Sequence, residues 1–145
     1  MDRGDPSVLE LLTADAMVYG IGIDILEVER IEKELERSKK RFCQMVYTPN
    51  EQEYCFKKSN RRIQAQCLAG RFSAKEAFLK ALGTGLRDGI GWKDIEVLPN
   101  SQGQPTMVLK DQALRILQTI GITTWHVSIS HTRNWATAVV VLEKP

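Results

Sequence analysis

A chain of 145 residues is the size of one domain, and 43% hydrophobic with 26% charged residues is the composition of a folded globular protein with a core to bury. Its apolar runs are a few residues long, far short of the ~20 that cross a bilayer, so no membrane span and no membrane partner are expected. The 20 basic against 18 acidic side chains leave a net charge of +2, too small to point to nucleic acid, so any electrostatic recognition has to come from local clusters.

Residues Met1–Ala16 are acidic and polar and lack the apolar stretch of a secretory signal. They read as an appendage, a native extension or an expression remnant, ahead of a second methionine, Met17, where a domain of residues 17–145 begins. Val18–Ile25 alternates, with Tyr19, Ile21, Ile23 and Ile25 on one face and Gly20, Gly22 and Asp24 on the other, which predicts a strand. Glycine weakens a strand unless something approaches its backbone closely, so the Gly-Gly-Asp face is expected to meet another element or a ligand.

Glu27–Arg41 has the spacing of an amphipathic helix. Val28, Ile31 and Leu35 form the apolar stripe, and Arg30, Lys33, Arg37 and Arg41 gather opposite it, as a solvated face or as a docking surface for an acidic partner. Thr48-Pro49-Asn50-Glu51 is a capping box opening a helix to about Lys58. A second start near Ser59-Asn60 and apolar residues from Ile63 to Leu82 predict a long helix ended by Gly83 and Gly85. Strands follow at Ile95–Leu98 and Thr106–Leu109, then a helix over Asp111–Ile120 stopped by Gly121, then a hairpin of Trp125–Ser130 and Ala136–Leu142. The three cysteines, Cys43, Cys55 and Cys67, lack metal-site or redox spacing, which predicts free thiols in a reducing cytosol. Without repeats or linkers, the pattern is one α+β domain.

Several residues invite chemistry. Glu76 and Lys80 are four apart on the long helix, flanked by Arg71 and Lys75. Alone this is an ordinary surface pair worth ~0.2–0.5 kcal/mol. It is followed by Gly83-Thr84-Gly85, whose N–H groups can approach a phosphate. In Trp125–His131, His126, Ser128 and Ser130 share one face; His126 beside Ser128 suits either a phosphate oxygen or a structural hydrogen bond, and His131 a local bond at the turn. Asp24 and Glu76 are isolated carboxylates that periodicity cannot bring together, although one or two carboxylates with substrate phosphates and water are how Mg²⁺ is usually held.

Three segments resemble one family when taken together. Gly20-Ile-Gly-Ile-Asp24 with Arg30 downstream, Arg71-Phe-Ser-Ala-Lys-Glu-Ala-Phe-Leu-Lys80-Ala-Leu-Gly-Thr-Gly85, and His126-Val-Ser-Ile-Ser-His131 closely resemble the holo-[acyl-carrier-protein] synthase family in content, order and separation, from about Met17 to Glu143. The resemblance implies a small, single-domain 4′-phosphopantetheinyl transferase. Such enzymes move phosphopantetheine from coenzyme A to a serine of apo acyl carrier protein for fatty acid biosynthesis, releasing adenosine 3′,5′-bisphosphate. It implies an α+β fold with a curved, mainly antiparallel sheet wrapped around a long helix, a cytoplasmic homotrimer, and active sites at subunit interfaces.

By the same resemblance Asp24 and Glu76 match magnesium ligands, and Glu76 and Lys80 are the catalytic pair. Lys80 matches a diphosphate contact and His126 a coenzyme A phosphate contact; Arg71, Gly83, Thr84, Gly85 and Ser128 join them as substrate-binding candidates. Arg30, Arg37 and Arg41 match the carrier-protein docking surface. The family often has Gly-Lys-Pro where this chain has Gly103-Gln104-Pro105, so a lysine contact from that loop to the nucleotide is not carried over.

The chemistry agrees with the resemblance. Mg²⁺, Lys80 and His126 place positive charge where phosphoryl transfer needs it. Glu76, or a magnesium-held water that it orients, accepts the serine proton. Acyl carrier proteins are acidic, which gives the basic helix face a purpose. Two other classes make different demands. A magnesium-dependent phosphohydrolase would use Asp24, Glu76 and Lys80 with water as the nucleophile and no protein acceptor. A nucleic-acid module would use the basic helix alone, and the chain has no aromatic strand of the RNA-binding kind.

Overall fold

Gly20 and Gly22 decide how the first strand meets the long helix. The computed structural model describes residues 16–86 and 88–145; the expected appendage thus lies outside the described residues except for Ala16. In chain order the elements are β1 (Met17–Glu27), α1 (Val28–Val46), α2 (Pro49–Phe56), α3 (Arg61–Leu82), a 3₁₀ turn (Trp92–Asp94), β2 (Ile95–Pro99), β3 (Pro105–Leu109), α4 (Asp111–Ile120), β4 (Thr124–His131) and β5 (Trp135–Lys144). Strands β1, β5 and β4 form one antiparallel sheet in that order, and β2 and β3 form an antiparallel pair. The fold is α+β, with α3 laid across β1 and β5.

A Cβ added to Gly20 would lie 2.0 Å from the Ala81 carbonyl oxygen, and one added to Gly22 only 1.8 Å from that of Ala77. The glycine face therefore meets a helix, main chain against main chain. Two strand residues advance ~6.6 Å and four helical residues ~6.0 Å, so the contacts stay in step along β1 and α3. The next rung of this ladder sets Asp24 opposite Ser73, whose hydroxyl donates to it.

Helix α1 continues past the expected Arg41 to Val46, with a non-helical Ser38 (φ −159°, ψ 54°) bending it. Phe42 and Val46 extend the stripe begun by Val28, Ile31 and Leu35, and burying them carries the helix beyond its basic stretch. The capping box of α2 is present: Thr48 Oγ1 accepts from the Glu51 N–H at 3.2 Å, and Glu51 Oε1 accepts from the Thr48 N–H at 2.9 Å. Asn60 caps α3, and Gly83 ends it in the left-handed conformation.

Glu51 does more than cap. It is fully buried, and its carboxylate also accepts from Lys75 Nζ at 2.7 Å and from the Val97 N–H at 2.8 Å. Lys75 donates further to the carbonyls of Val46 (2.7 Å) and Trp92 (3.2 Å). Burial pushes the Lys75 pKa below that of an ordinary lysine, and the Glu51 carboxylate opposes that push. A buried charge is tolerable when paired and fully hydrogen-bonded, and this pair joins α1, α2, α3 and β2.

The cysteine expectation is corrected. Cys55 and Cys67 form a disulfide (Cα–Cα 5.4 Å), and only Cys43 is a free, buried thiol. The turn after α2 folds α3 back beside it and brings together two cysteines 12 residues apart, a spacing with no motif to announce it. The thiols therefore no longer argue for a reducing compartment. No helix among the described residues is long and apolar enough to cross a membrane.

Candidate active site

Asp24 stands at the end of the glycine ladder. Ser73 Oγ donates to its Oδ2 at 2.9 Å, Lys80 Nζ donates to its Oδ1 at 3.1 Å, and Thr137 Oγ1 donates to its main-chain oxygen at 2.7 Å. Lys80 Nζ also donates to the Ile23 carbonyl at 3.0 Å, although its side chain remains 54% exposed. Glu76 lies one turn along α3 from Ser73, half-buried. Its carboxyl pKa is raised, first by burial and then by the negative charge of Asp24; Lys80 and Arg30 pull it the other way. Asp24, Glu76, Lys80 and Arg30, dispersed in the sequence, thus share one electrostatic site.

Arg71 does not join them. At ~100° per residue, Arg71 and Lys75 sit roughly 160° around α3 from Ser73, and they face the interior. Arg71 Nε donates to the Val97 carbonyl at 3.3 Å, its guanidinium stacks over Tyr54 at 4.7 Å, and burial lowers its pKa. This corrects the expectation that both flank the Glu76–Lys80 face. Gly83, Thr84 and Gly85 follow the C-terminal end of α3. The Gly83 N–H is taken up by the Leu79 carbonyl at 2.9 Å, so a phosphate contact from this turn falls to Thr84 and Gly85.

His126 and Ser128 lie on the other side of the sheet. Asp24 pairs with Ala138, which pairs with Ile129; Ile21 pairs with Val141, which pairs with His126. Side chains at paired positions share a face, and successive residues alternate. Asp24 therefore faces α3, whereas His126 and Ser128 share the opposite face with Ile21, Ile23 and Ile25, which are 63%, 64% and 64% exposed. There His126 Nε2 meets Glu143 Oε1 at 2.5 Å. One chain alone does not bring the two halves of the expected coenzyme A site together.

A groove opens between α1 and α3, lined by Phe42, Met45, Phe72 and Trp92 with Arg30 and Arg37 at its edge. Phe72 and Trp92 are stacked at 5.2 Å. Arg37 reaches Glu34, and Arg41, past the Ser38 bend, is exposed and outside the groove. Ser73 and Thr137 escaped the sequence reading. Ser73 had a signal, since Ser73, Ala77 and Ala81 repeat small residues at the four-residue spacing that matches Gly20, Gly22 and Asp24 at two.

The profile of the 4′-phosphopantetheinyl transferase superfamily matches residues 20–140. The chain belongs to this superfamily. A superfamily relative from Syntrophus aciditrophicus (strain SB), named holo-[acyl-carrier-protein] synthase, is 49% identical over 127 residues, covering 88% of this chain and 97% of its own length. One of the same name from Geobacter sp. (strain M21) is 45% identical over 128 residues, covering 88% and 100%. The crystal structure of the Bacillus anthracis holo-(acyl-carrier-protein) synthase in complex with CoA (3′,5′-ADP) superimposes with a TM-score of 0.73 at 37% identity, covering 89% of this chain and 99% of that one. The Neisseria meningitidis enzyme superimposes with a TM-score of 0.80 at 32% identity, covering 88% and 100%. All three motif segments fall within the residues that the superfamily profile matches.

Proposed function

We propose that this chain transfers 4′-phosphopantetheine from coenzyme A to a serine of apo acyl carrier protein, for fatty acid biosynthesis in the cytoplasm. The observation that carries the reading is the convergence of Asp24, Glu76 and Lys80 at the end of the glycine ladder, in a chain whose superfamily relatives are named for this reaction.

The residues fit a magnesium ion. Two carboxylates share a half-buried site, and the charge of one raises the proton affinity of the other, a repulsion that a divalent cation relieves. Among the described residues no cluster of three or more His, Cys, Asp or Glu forms a cage, so a Mg²⁺ held by Asp24 and Glu76 would take its other ligands from phosphate and water. Bound by Asp24 and Glu76, Mg²⁺ supplies charge neutralisation at the coenzyme A diphosphate. Lys80 holds one N–H on Asp24 and one on Ile23 and turns its exposed side to the diphosphate, following the charge to the leaving adenosine 3′,5′-bisphosphate as the old P–O bond breaks. Glu76 takes the serine proton directly or through a water as the new P–O bond forms. Arg30 and Arg37, with Arg41 beyond them, receive the acidic carrier beside the groove.

The test is the intact mass of apo carrier protein incubated with coenzyme A and Mg²⁺. The expected result is a gain of one phosphopantetheine per carrier; cleavage of coenzyme A with no change in the carrier indicates a hydrolase instead. In the same assay, Arg37→Glu with Arg41→Glu is expected to slow transfer, less so at high salt. Equal rates at both salt concentrations would mean that this face is only solvated.

Within this reading the working enzyme is a homotrimer whose sites are each completed by His126 and Ser128 of a second copy. Its support is the exposed apolar face of β1, which is the same face that carries His126. Chains carrying Asp24→Ala and chains carrying His126→Ala are each expected to be weak alone. After co-refolding at equal amounts, about one site in four pairs an intact Asp24 with an intact His126 from its neighbour, and activity returns accordingly. Activity no higher than the sum of the separate variants would show that each chain works by itself.

A further inference from the structure

We infer that Ser73 is a positioning residue that orients the Asp24 carboxylate toward the metal. The inference rests on reading Asp24 and Glu76 as magnesium ligands. Ser73 is fully buried on the face of α3 that meets β1. At the other rungs of that contact the helix presents Ala77 and Ala81, which bury no side-chain polar atom. A hydroxyl buried in their place needs a hydrogen-bond partner. A helical serine ordinarily finds one in the carbonyl four residues back. Ser73 instead reaches out of its helix to Asp24 Oδ2 at 2.9 Å.

The consequence is orientation. The carboxylate torsion of an aspartate is broad and nearly two-fold, so an untethered Asp24 would rotate freely. Here three contacts hold it from two elements, β5 and α3. Thr137 on β5 fixes its main-chain oxygen, Ser73 on α3 ties Oδ2 inward, and Lys80 meets Oδ1 on the open side. The other oxygen is thus turned to the open side, where Lys80 meets it. The tether is a neutral hydroxyl, so it orients the carboxylate without bringing another cation that would compete with the metal. Hydrogen bonds that orient metal ligands typically account for ~10–100-fold in metal affinity.

The experiment uses the full chain with coenzyme A and no carrier protein, with Mn²⁺ as a spectroscopic probe whose free form is counted by electron paramagnetic resonance. Ser73→Ala, an exchange that favours the helix, is expected to weaken Mn²⁺ binding about tenfold while the melting temperature stays close to that of the unaltered chain. In steady state with carrier protein, the Mg²⁺ concentration for half-maximal rate should rise in parallel, and kcat at saturating Mg²⁺ should stay within about twofold, a split that a merely structural role would not produce. A folded Ser73→Ala chain that binds Mn²⁺ as tightly as the unaltered one overturns the inference. If Asp24→Ala also binds Mn²⁺ like the unaltered chain, the metal assignment itself has failed, and the inference fails with it.

Discussion

Replacing Asp24 or Glu76 with alanine is expected to lower kcat/KM by roughly a thousandfold or more, the scale of losing a preorganised charge at a reacting phosphate, equivalent to at least ~4 kcal/mol of transition-state stabilisation. Neither change should unfold the chain. The Lys80–Asp24 ion pair has a lysine that is 54% exposed, and pairs screened by water to that degree contribute little to stability. Glu76 is half-buried with a raised pKa, so its ionised form is penalised in the folded state and removing the charge relieves that penalty. Glu76→Gln separates charge from shape and should be nearly as inactive as Glu76→Ala. Circular dichroism melts alongside a Mg²⁺ titration of each variant provide the check. Near-normal turnover by either alanine variant at any Mg²⁺ concentration would remove that residue from the metal site.

Lys80→Ala is expected to lose a factor of about 10²–10³ in rate, corresponding to ~2.7–4 kcal/mol for one preorganised contact to developing charge. The Lys80 ammonium is held by two acceptors, Asp24 Oδ1 and the Ile23 carbonyl, and in the proposed reaction this fixes it in place for the phosphate. The loss should appear in kcat with coenzyme A saturating, while the KM for carrier protein changes little, since the arginines proposed to dock the carrier are untouched. Lys80→Arg should recover only part of the rate, because a planar fork does not replace a compact charge held between those two oxygens. A Lys80→Ala enzyme within twofold of the unaltered one would reduce Lys80 to a helix-surface partner of Asp24.

Features written in local spacing were legible before any coordinates. The capping box of α2, the left-handed glycine that ends α3, the alternation of β1 and the closing hairpin all depend on residues a few positions apart. Asp24, Glu76, Lys80 and His126 each stood out in the sequence, but the structure draws only the first three together and leaves His126 on the other face of the sheet. Periodicity assigns a side chain to a face of its own element and says nothing about what lies across from that face. Arg71 and Lys75 look like neighbours of Glu76 in the sequence, yet the roughly 140° and 100° that separate them from it around α3 send them into the interior to Val97, Tyr54 and Glu51. The alternation of Trp125–His131 separates His126 from Trp125 correctly, but only the register through β5 places His126 on the face away from Asp24. The Cys55–Cys67 pair depends on how two helices fold back on each other, which no spacing rule encodes.

The close approach of β1 to α3 at Gly20 and Gly22 separates two traits of this protein. Peptide units rest there on peptide units, so the distance between the strand that carries Asp24 and the helix that carries Glu76 and Lys80 is a fixed gauge, independent of the sizes of the surrounding side chains. Large-to-small changes around Leu117, Val97 or Met107, in the core on the far side of α3, open cavities that deplete the folded population. They leave the gauge alone. Each molecule still folded should turn over at the full rate, so drift in that core would lower how much enzyme there is before it altered how the enzyme works. Only a side chain inserted at the gauge, such as a methyl on Gly22, pushes the two carboxylates apart and alters the chemistry itself.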